Sequence, residues 1–566
     1  MERKRGNTMK KLPYGISNYE EIIRDGYEYV DKTKYIEKLE NLSEKRILFL
    51  RPRKFGKTLF TSVMENYYDI KKKDKFETLF GQTYIGKYPT LNKNSYDILK
   101  FNFSGIDTST VESTIQGFKN EVLSSLQSFV IKYEMDFYIN QEQSAEENLN
   151  NIFKAFQLQK PKEKIYVIID EYDHFANELL GFSPKEFKNL VSKNGKIRKW
   201  YEILKKGTET VVDRIFITGV APITLDSLTS GFNIGKDITQ DEKFNEMMGF
   251  TQEELVQLLK NQEISKVEQD KILPIMKENY DGYQFSLRGR EKIYNSNMCL
   301  YFLTDYVRLK EIPNKLIDMN IASDYSKLAN MIDLCMGEKR EEIIKKTIAG
   351  EGIVEEIIQK FNPAVEFTEK EMISMLYYLG YLTIQGEELG YPILGIPNKV
   401  MKEIYSEYFL DAMQRQMNIQ IEDNSIDIIK EIALEGKINK ITELLHTYLN
   451  HLSNRDYEKF DEKYVKVIFY SIAMNLGVYR VKSEMEVQRK YPDILLIPKE
   501  NDKGYYSVMI EFKYLKKGEK GKLEDKQKEA REQIEEYSKF EEIASIRKLR
   551  KYTVVAVNDE IFVEEV

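Results

Sequence analysis

Over the first half of the chain, short unbroken apolar runs alternate with stretches of helical spacing. RILFL (46–50) has the length and flanks of a buried strand, and TLFTSVMENYYDI (58–70) sets apolar side chains at helical intervals. ILKFNF (98–103) predicts a second strand and 111–136 a helix. The core of KIYVIIDEYDHF (164–175) is continuously apolar, as in a strand covered on both faces, and RIFITGVAP (214–222) is a similar run closed by Gly and Pro. Strands separated by helices predict an α/β domain on a parallel sheet. From about residue 250 to 420 the pattern is mostly helical. Within it, 367–398 reads as a helix and two short strands, a winged-helix-like outline that serves DNA binding in some proteins and packing between domains in others. Beyond about 425 the order is a helix (457–476), three strands (479–487, 493–498, 505–514), an amphipathic helix (522–540) and a final strand, YTVVAV (552–557). The expectation is an α/β multidomain chain: a parallel-sheet domain over 11–300, a helical and winged-helix-like region over 301–424, and a second α/β domain over 425–566.

The first domain carries a chemical signal between its first strand and helix. RPRKFGKT (51–58) satisfies the end of the phosphate-loop pattern G-x-x-x-x-G-K-[ST], but Arg51 stands where the first glycine belongs. In such a loop backbone N–H groups and a helix N-terminus meet phosphate oxygens. Gly56 would allow close backbone approach, Lys57 would reach the β and γ phosphates, and Thr58 would give its hydroxyl to magnesium. The tripeptide alone is also an ordinary helix start. Its expected partner is the apolar strand ending in Asp170-Glu171, with Asp170 holding hydrated Mg2+ and Glu171 polarising the attacking water. Thr218, ending the next apolar strand, is either a sensor of the γ-phosphate or a plain strand-end threonine. Arg51 and Arg53 could stabilise transition-state charge, pack, or face DNA.

The second domain carries a second signal. Pro492-Asp493 is followed, 18 residues later, by Glu511-Phe512-Lys513. Glu511 and Lys513 share one face of a strand, and Asp493 on a neighbouring strand can meet Glu511 around a magnesium ion. Lys513 would orient or deprotonate water, or hold the phosphate. The alternative is a cross-strand ion pair. Gln533 and Tyr537 are spaced to share one helix face, and Glu484 is a solvated strand residue or a further site residue. Lys516, Lys517, Lys520, Lys522, Lys526 and Lys528 follow, interleaved with acids from Glu519 onward, as on a solvated face; contact with a DNA backbone is the alternative.

Composition narrows the field. The net charge is −7, so any nucleic-acid contact must come from a local basic patch. Cys299 and Cys335 form no CxxC, and His174, His446 and His451 form no metal motif; a working metal would sit on carboxylates, as magnesium or manganese does. No leader-like segment and no long apolar run is read, and the expected setting is the cytoplasm, with no membrane partner.

LPYGISNYEEIIRDGYEYVDKTKYIEKL (12–39), RPRKFGKTLF (51–60), IIDEYD (168–173) and FITGV (216–220) resemble the predicted AAA-ATPase-like proteins of anaerobic bacteria, as do GFTQEEL (249–255), NYDGYQF (279–285), IYNS (293–296) and LYYLGYLTI (376–384). The resemblance runs from about residue 11 to the C-terminus. It makes the missing glycine a family trait, since the usual loop there is RPRRFGKT, and it implies a P-loop ATPase core and a C-terminal domain of the PD-(D/E)XK nuclease type. His174-Phe175-Ala176 departs from the family's proline-containing stretch. Within that nuclease superfamily Glu462 matches a frequent acidic position on the preceding helix, and Gln533 with Tyr537 resembles the QxxxY of RecB-like exonucleases. The expected function is an ATP-binding and hydrolysing protein coupled to a Mg2+-dependent domain that cleaves DNA or RNA. The rival is a nucleotide-dependent switch or scaffold whose nuclease-like domain binds without cutting. Many related ATPases assemble, which puts a homo-oligomer among the expected partners.

Overall fold

RILFL forms β1 (Arg46–Leu50), and the following residues turn into helix α1 (Lys57–Tyr68). The next elements are β2 (Asp97–Asn102), α2 (Val111–Lys132), β3 (Ile165–Asp170), α3 (Lys196–Gly207), β4 (Val212–Gly219) and a two-residue strand, β5 (Lys236–Asp237). The computed structural model describes residues 9–174, 196–222, 235–313, 315–318, 328–329, 332, 339–361, 368–421, 424–452, 461–483, 492–499 and 503–566. The chain divides into two units, one drawn from 1–337 and 354–398, the other from 338–353 and 399–566. No helix among the described residues is long and apolar enough to cross a membrane.

The sheet of the first unit has the order β2-β3-β4-β1-β5, all parallel. β3 is buried at every position, which explains its unbroken apolar run. Alternation across β2 puts helices on both faces: Lys100 pairs with Glu65 of α1 at 3.2 Å, while Phe101 meets the Trp200 ring of α3 edge-on at 4.9 Å. The strand order has one consequence for chemistry. The strand ending in Asp170 does not adjoin the strand leading into the phosphate loop. β4 lies between them and carries Thr218. The unit also contains α4 (Gln252–Asn261), α5 (Ser296–Leu309) and α6 (Glu369–Leu379) with the hairpin β6 (Thr383–Glu388) and β7 (Tyr391–Gly395), as the winged-helix-like pattern predicts.

The second unit contains α7 (Glu462–Met474), β8 (Tyr479–Ser483), β9 (Ile494–Pro498), β10 (Ser507–Leu515), α8 (Leu523–Tyr537), β11 (Leu549–Val557) and β12 (Glu560–Glu565). The sheet order is β12-β11-β10-β9-β8. Only β10 and β11 run parallel, joined through α8. Phe512 meets Phe469 of α7 at 5.0 Å, and Met509 packs in a cluster with Leu495 and Ile534 of α8. Glu511 and Lys513 share Met509's face. Three strands among the described residues escaped the sequence reading: β5, the two-residue Ile353–Val354 and β12. β5 has no apolar run, and β12 is an edge strand whose EIFVEE pattern is mostly charged ends.

Candidate functional site

The phosphate loop is built without its first glycine. Arg51 continues the β1–β4 ladder, its N–H donating to the Gly219 carbonyl at 3.2 Å. Its side chain is 1% exposed, and its guanidinium lies between the rings of Phe49 and Phe285, 4.2 and 4.1 Å from their centroids. It donates to the carbonyls of Leu50, Thr239 and Phe244, each at 2.8 Å. Burial lowers its pKa, but carbonyl dipoles meet the charge. Arg51 is therefore a packing residue, which settles one of the alternatives the sequence left open. Arg53 instead lines the adjoining cavity.

Left-handed backbone at Lys54 (φ 67°) and Gly56 (φ 94°) shapes the turn, and Gly56 caps α1. Later segments clamp it. The Phe55 carbonyl accepts from Gly249 N at 3.1 Å, and its ring meets Tyr283 and Phe285 edge-on at 4.9 and 5.4 Å. The Lys54 carbonyl accepts from the Ser296 hydroxyl at 3.4 Å and from Asn297 N at 3.3 Å. A Cβ on Gly380 would stand 2.8 Å from Pro52. Four motifs with no readable chemistry, GFTQEEL, NYDGYQF, IYNS and LYYLGYLTI, thus wrap one loop.

Beside the loop is a cavity of about 460 Å3, within the range of small-molecule sites. Gly56, Lys57, Thr58, Glu171 and His174 line one part; Ile16, Tyr29, Val30, Met248, Phe250 and Leu258 supply apolar wall. Tyr29 and Val30 belong to the YVDKT segment, whose role composition does not reveal. Its Lys32 also lines the cavity and donates to the Glu246 carbonyl at 2.9 Å and to Glu254 at 2.6 Å; Glu254 in turn completes the capping box of α4.

Lys57 is buried, and its ammonium donates to the Arg51 and Pro52 carbonyls, both at 3.0 Å. Burial pushes its pKa down, against the charges of Glu171, Asp170 and Asp173. Asp170 is fully buried, and burial raises its pKa, opposed first by a hydrogen bond from Thr58. Asp170 thus meets the cavity through Thr58. Glu171 holds a left-handed backbone (φ 50°), a costly conformation for a residue with a Cβ, and His174 Nδ1 lies 3.6 Å from its carboxylate. Pairing of Ile169 with Ile217 sets Thr218 beside Asp170. The Thr218 hydroxyl is buried and has no hydrogen-bond partner among the described residues, but Thr218 does not line the cavity.

Asp173 was not singled out by sequence reasoning. Its buried carboxylate accepts from Val220 N at 3.0 Å and Ala221 N at 2.7 Å, tying the turn after β3 to the end of β4. Gly219 makes room for this: a Cβ there would stand 2.1 Å from Asp173 Oδ1 and 2.6 Å from the Tyr172 ring.

In the second unit, antiparallel pairing of Ile494 with Ile510 brings Asp493, one residue ahead of β9, beside Glu511. Asp493, Glu511 and Lys513 are buried, at 3%, 2% and 5% exposure. Phe512 N donates to Asp493 Oδ2 at 2.7 Å, Asp493 N to Glu511 Oε2 at 3.4 Å, and Lys513 Nζ to Glu511 Oε1 at 3.1 Å. Burial raises both carboxyl pKa values; the Asp493 charge lifts Glu511 further, while Lys466 restrains Asp493. Gln533 on α8 has a buried Oε1 with no partner among the described residues, and Tyr537 packs against the Leu495–Met509–Ile534 cluster. Glu529, one turn before Gln533, lies 4.0 Å from Lys513. Glu462 opens α7 but reaches Asp493 only through Lys466, whose ammonium is 2.9 Å from Glu462 and 2.5 Å from Asp493. Lys466 and Glu529 were missed in the sequence; the i, i+4 spacing of Glu462 and Lys466 was the available signal. Glu484 lies outside the described residues. Of the lysines after β10, Lys520, Lys522 and Lys526 pair with Glu560, Glu519 and Glu529.

No three acidic, imidazole or thiol groups converge among the described residues. Two carboxylates nonetheless suit magnesium, which takes one or two from a protein and completes its shell with water and phosphate.

Residues 13–229 match the predicted AAA-ATPase family, and residues 460–566 match the PD-(D/E)XK nuclease superfamily. A protein named as uncharacterized, in the vnfD 5′ region of Azotobacter chroococcum mcd 1, is 25% identical over 288 residues, which is 50% of this chain and 50% of that protein. The chain spans about half the length of that curated relative. It joins a domain of the predicted AAA-ATPase family to a domain of the PD-(D/E)XK nuclease superfamily.

Proposed function

We propose that the chain is a bacterial, cytoplasmic ATP-hydrolysing protein coupled to a magnesium-dependent nuclease domain that cleaves nucleic-acid phosphodiesters. The ATPase part is drawn from 11–300 and the nuclease from 425–566, with 301–424 between them. The observation that carries the reading is the buried meeting of Asp493, Glu511 and Lys513 on adjacent strands, in a chain that also keeps Lys57, Thr58, Asp170 and Glu171 beside the phosphate loop.

In the ATPase, Lys57 turns from the carbonyls of its own loop to the phosphate oxygens, and Arg53 supplies further positive charge. Thr58 and Asp170 hold Mg2+. Glu171 orients the attacking water and accepts its proton, and Thr218, outside the cavity lining but beside Asp170, would sense the γ-phosphate through that neighbour. In the nuclease, Asp493 and Glu511 hold Mg2+. When bound, the ion supplies Lewis-acid stabilisation of the scissile phosphate. Lys513 orients or deprotonates the water, and Gln533 and Glu462 frame the site from α8 and α7.

ATP hydrolysis should be lost in Glu171→Gln with nucleotide binding retained, and nucleic-acid cleavage should be lost in Asp493→Asn with ATP hydrolysis retained. Wild-type protein that hydrolyses ATP yet cuts no form of DNA or RNA would leave only the first half standing. A second reading, a nucleotide switch whose nuclease-like domain binds without cutting, draws on the commitment of Asp493 and Glu511 to lysines. It predicts salt-sensitive binding that survives Asp493→Ala.

A further inference from the structure

Every oxygen of the two buried carboxylates already has a partner. Asp493 Oδ2 accepts from Phe512 N and Oδ1 from Lys466; Glu511 Oε1 accepts from Lys513 and Oε2 from Asp493 N. Backbone partners are fixed by the β9–β10 register. Lys513 is on the same strand as Glu511. Lys466 differs: it reaches in from α7 on a flexible stem, and its ammonium pairs with Glu462 at 2.9 Å and with Asp493 at 2.5 Å. Its ammonium takes the Asp493 oxygen that a bound cation would claim.

We propose that Lys466 is a built-in counter-ion of the nuclease site, which a divalent metal displaces from Asp493 and which then remains beside the metal to take a nucleic-acid phosphate. This rests on the reading of Asp493 and Glu511 as metal ligands. Competition by a tethered ammonium weakens metal binding when no substrate is present. A phosphate that draws the ammonium away strengthens it, and by linkage the metal strengthens phosphate binding by the same factor. The site therefore loads metal and nucleic acid together.

The test is Mg2+ binding to the nucleotide-free full chain, measured by calorimetry at pH 8.5, for wild type, Lys466→Gln, Lys466→Arg, Lys463→Gln and Asp493→Ala. Lys463, on the same helix, pairs with Glu351 and serves as a control for nearby charge. Lys466→Gln should bind Mg2+ roughly tenfold tighter, equivalent to about 1.4 kcal/mol, while Lys466→Arg and Lys463→Gln stay near wild type. A short single-stranded oligonucleotide should tighten Mg2+ binding in wild type and do so far less in Lys466→Gln. The rise in melting temperature on adding Mg2+ should be larger in Lys466→Gln, which provides a second readout where loss of a buried partner lowers the metal-free melting temperature. Unchanged or weaker binding in Lys466→Gln, with wild-type binding that depends on Asp493, overturns the counter-ion role and leaves the metal reading intact. Binding absent from wild type and Lys466→Gln alike, or unaffected by Asp493→Ala, overturns both.

Discussion

Replacing Arg51 by methionine separates a structural arginine from a catalytic one. The guanidinium makes three bonds of 2.8 Å to buried carbonyls at the end of β1 and in the 239–244 segment, between two aromatic rings. A hydrogen bond from a charged donor contributes about 1.5–3 kcal/mol, so the gross loss is roughly 4–9 kcal/mol. Relief from burying a charge returns several kcal/mol, and methionine fills part of the slot between the rings. The net expectation is a loss of about 3 kcal/mol from the first unit. Lysine should recover little of it, because one ammonium does not reproduce a planar fork held between two rings. The chain has a single tryptophan, Trp200, buried against Phe101, Phe103 and Phe118 in that unit. Its fluorescence during urea unfolding therefore reports this unit alone. Arg51→Met should shift the transition to lower urea in the absence of nucleotide, whereas Arg53→Met should leave it in place and slow ATP hydrolysis. An Arg51→Met protein that unfolds like wild type but cannot hydrolyse ATP would refute the packing role.

Gly219→Ala forces a methyl against Asp173 and Tyr172, and overpacking of this kind costs about 1–3 kcal/mol; the Trp200 transition should move accordingly and ATP hydrolysis should fall, because the turn bearing Glu171 shifts. A change in neither would contradict the coupling of that turn to β4. The second unit should show an inverted pH dependence in its metal-free stability. The Glu511 pKa is raised from 4.5 to about 8 and that of Asp493 from 3.8 to about 6, mainly by burial. Raised carboxyl pKa values contribute stability that is full below the unfolded values and lost as pH rises through the folded ones. Thermal melts from pH 5 to 9 should show this loss in wild type, its recovery on adding Mg2+ above about pH 8, and a flatter profile in Glu511→Gln. A wild-type profile parallel to that of Glu511→Gln would contradict it.

RPRKFGKT and IIDEYD were legible because they follow the apolar runs of parallel strands, and PD…EFK because its charged side chains stand beside or within two otherwise apolar strand segments. The packing of Arg51 was not legible, because its partners are mostly backbone carbonyls nearly two hundred residues away, and a carbonyl leaves no mark in a sequence. The left-handed backbone of Glu171 is equally silent, since glutamate gives no hint of positive φ. Asp173 reads as one acid among three until the N–H groups of Val220 and Ala221 are seen to meet it. Lys466 shows its helix partner Glu462 by spacing, but its bond to Asp493 depends on where β9 begins. β12 escaped because an edge strand needs only one apolar face, and EIFVEE presents little of one.

Cleavage of supercoiled, linear and single-stranded DNA with Mg2+, with and without ATP, tests the central claim most directly when wild type, Lys57→Ala and Asp493→Ala are run together. The account predicts cutting by wild type, none by Asp493→Ala, and cutting by Lys57→Ala that no longer responds to ATP. Cutting that persists in Asp493→Ala, or wild-type protein that hydrolyses ATP and leaves every substrate intact, would contradict it.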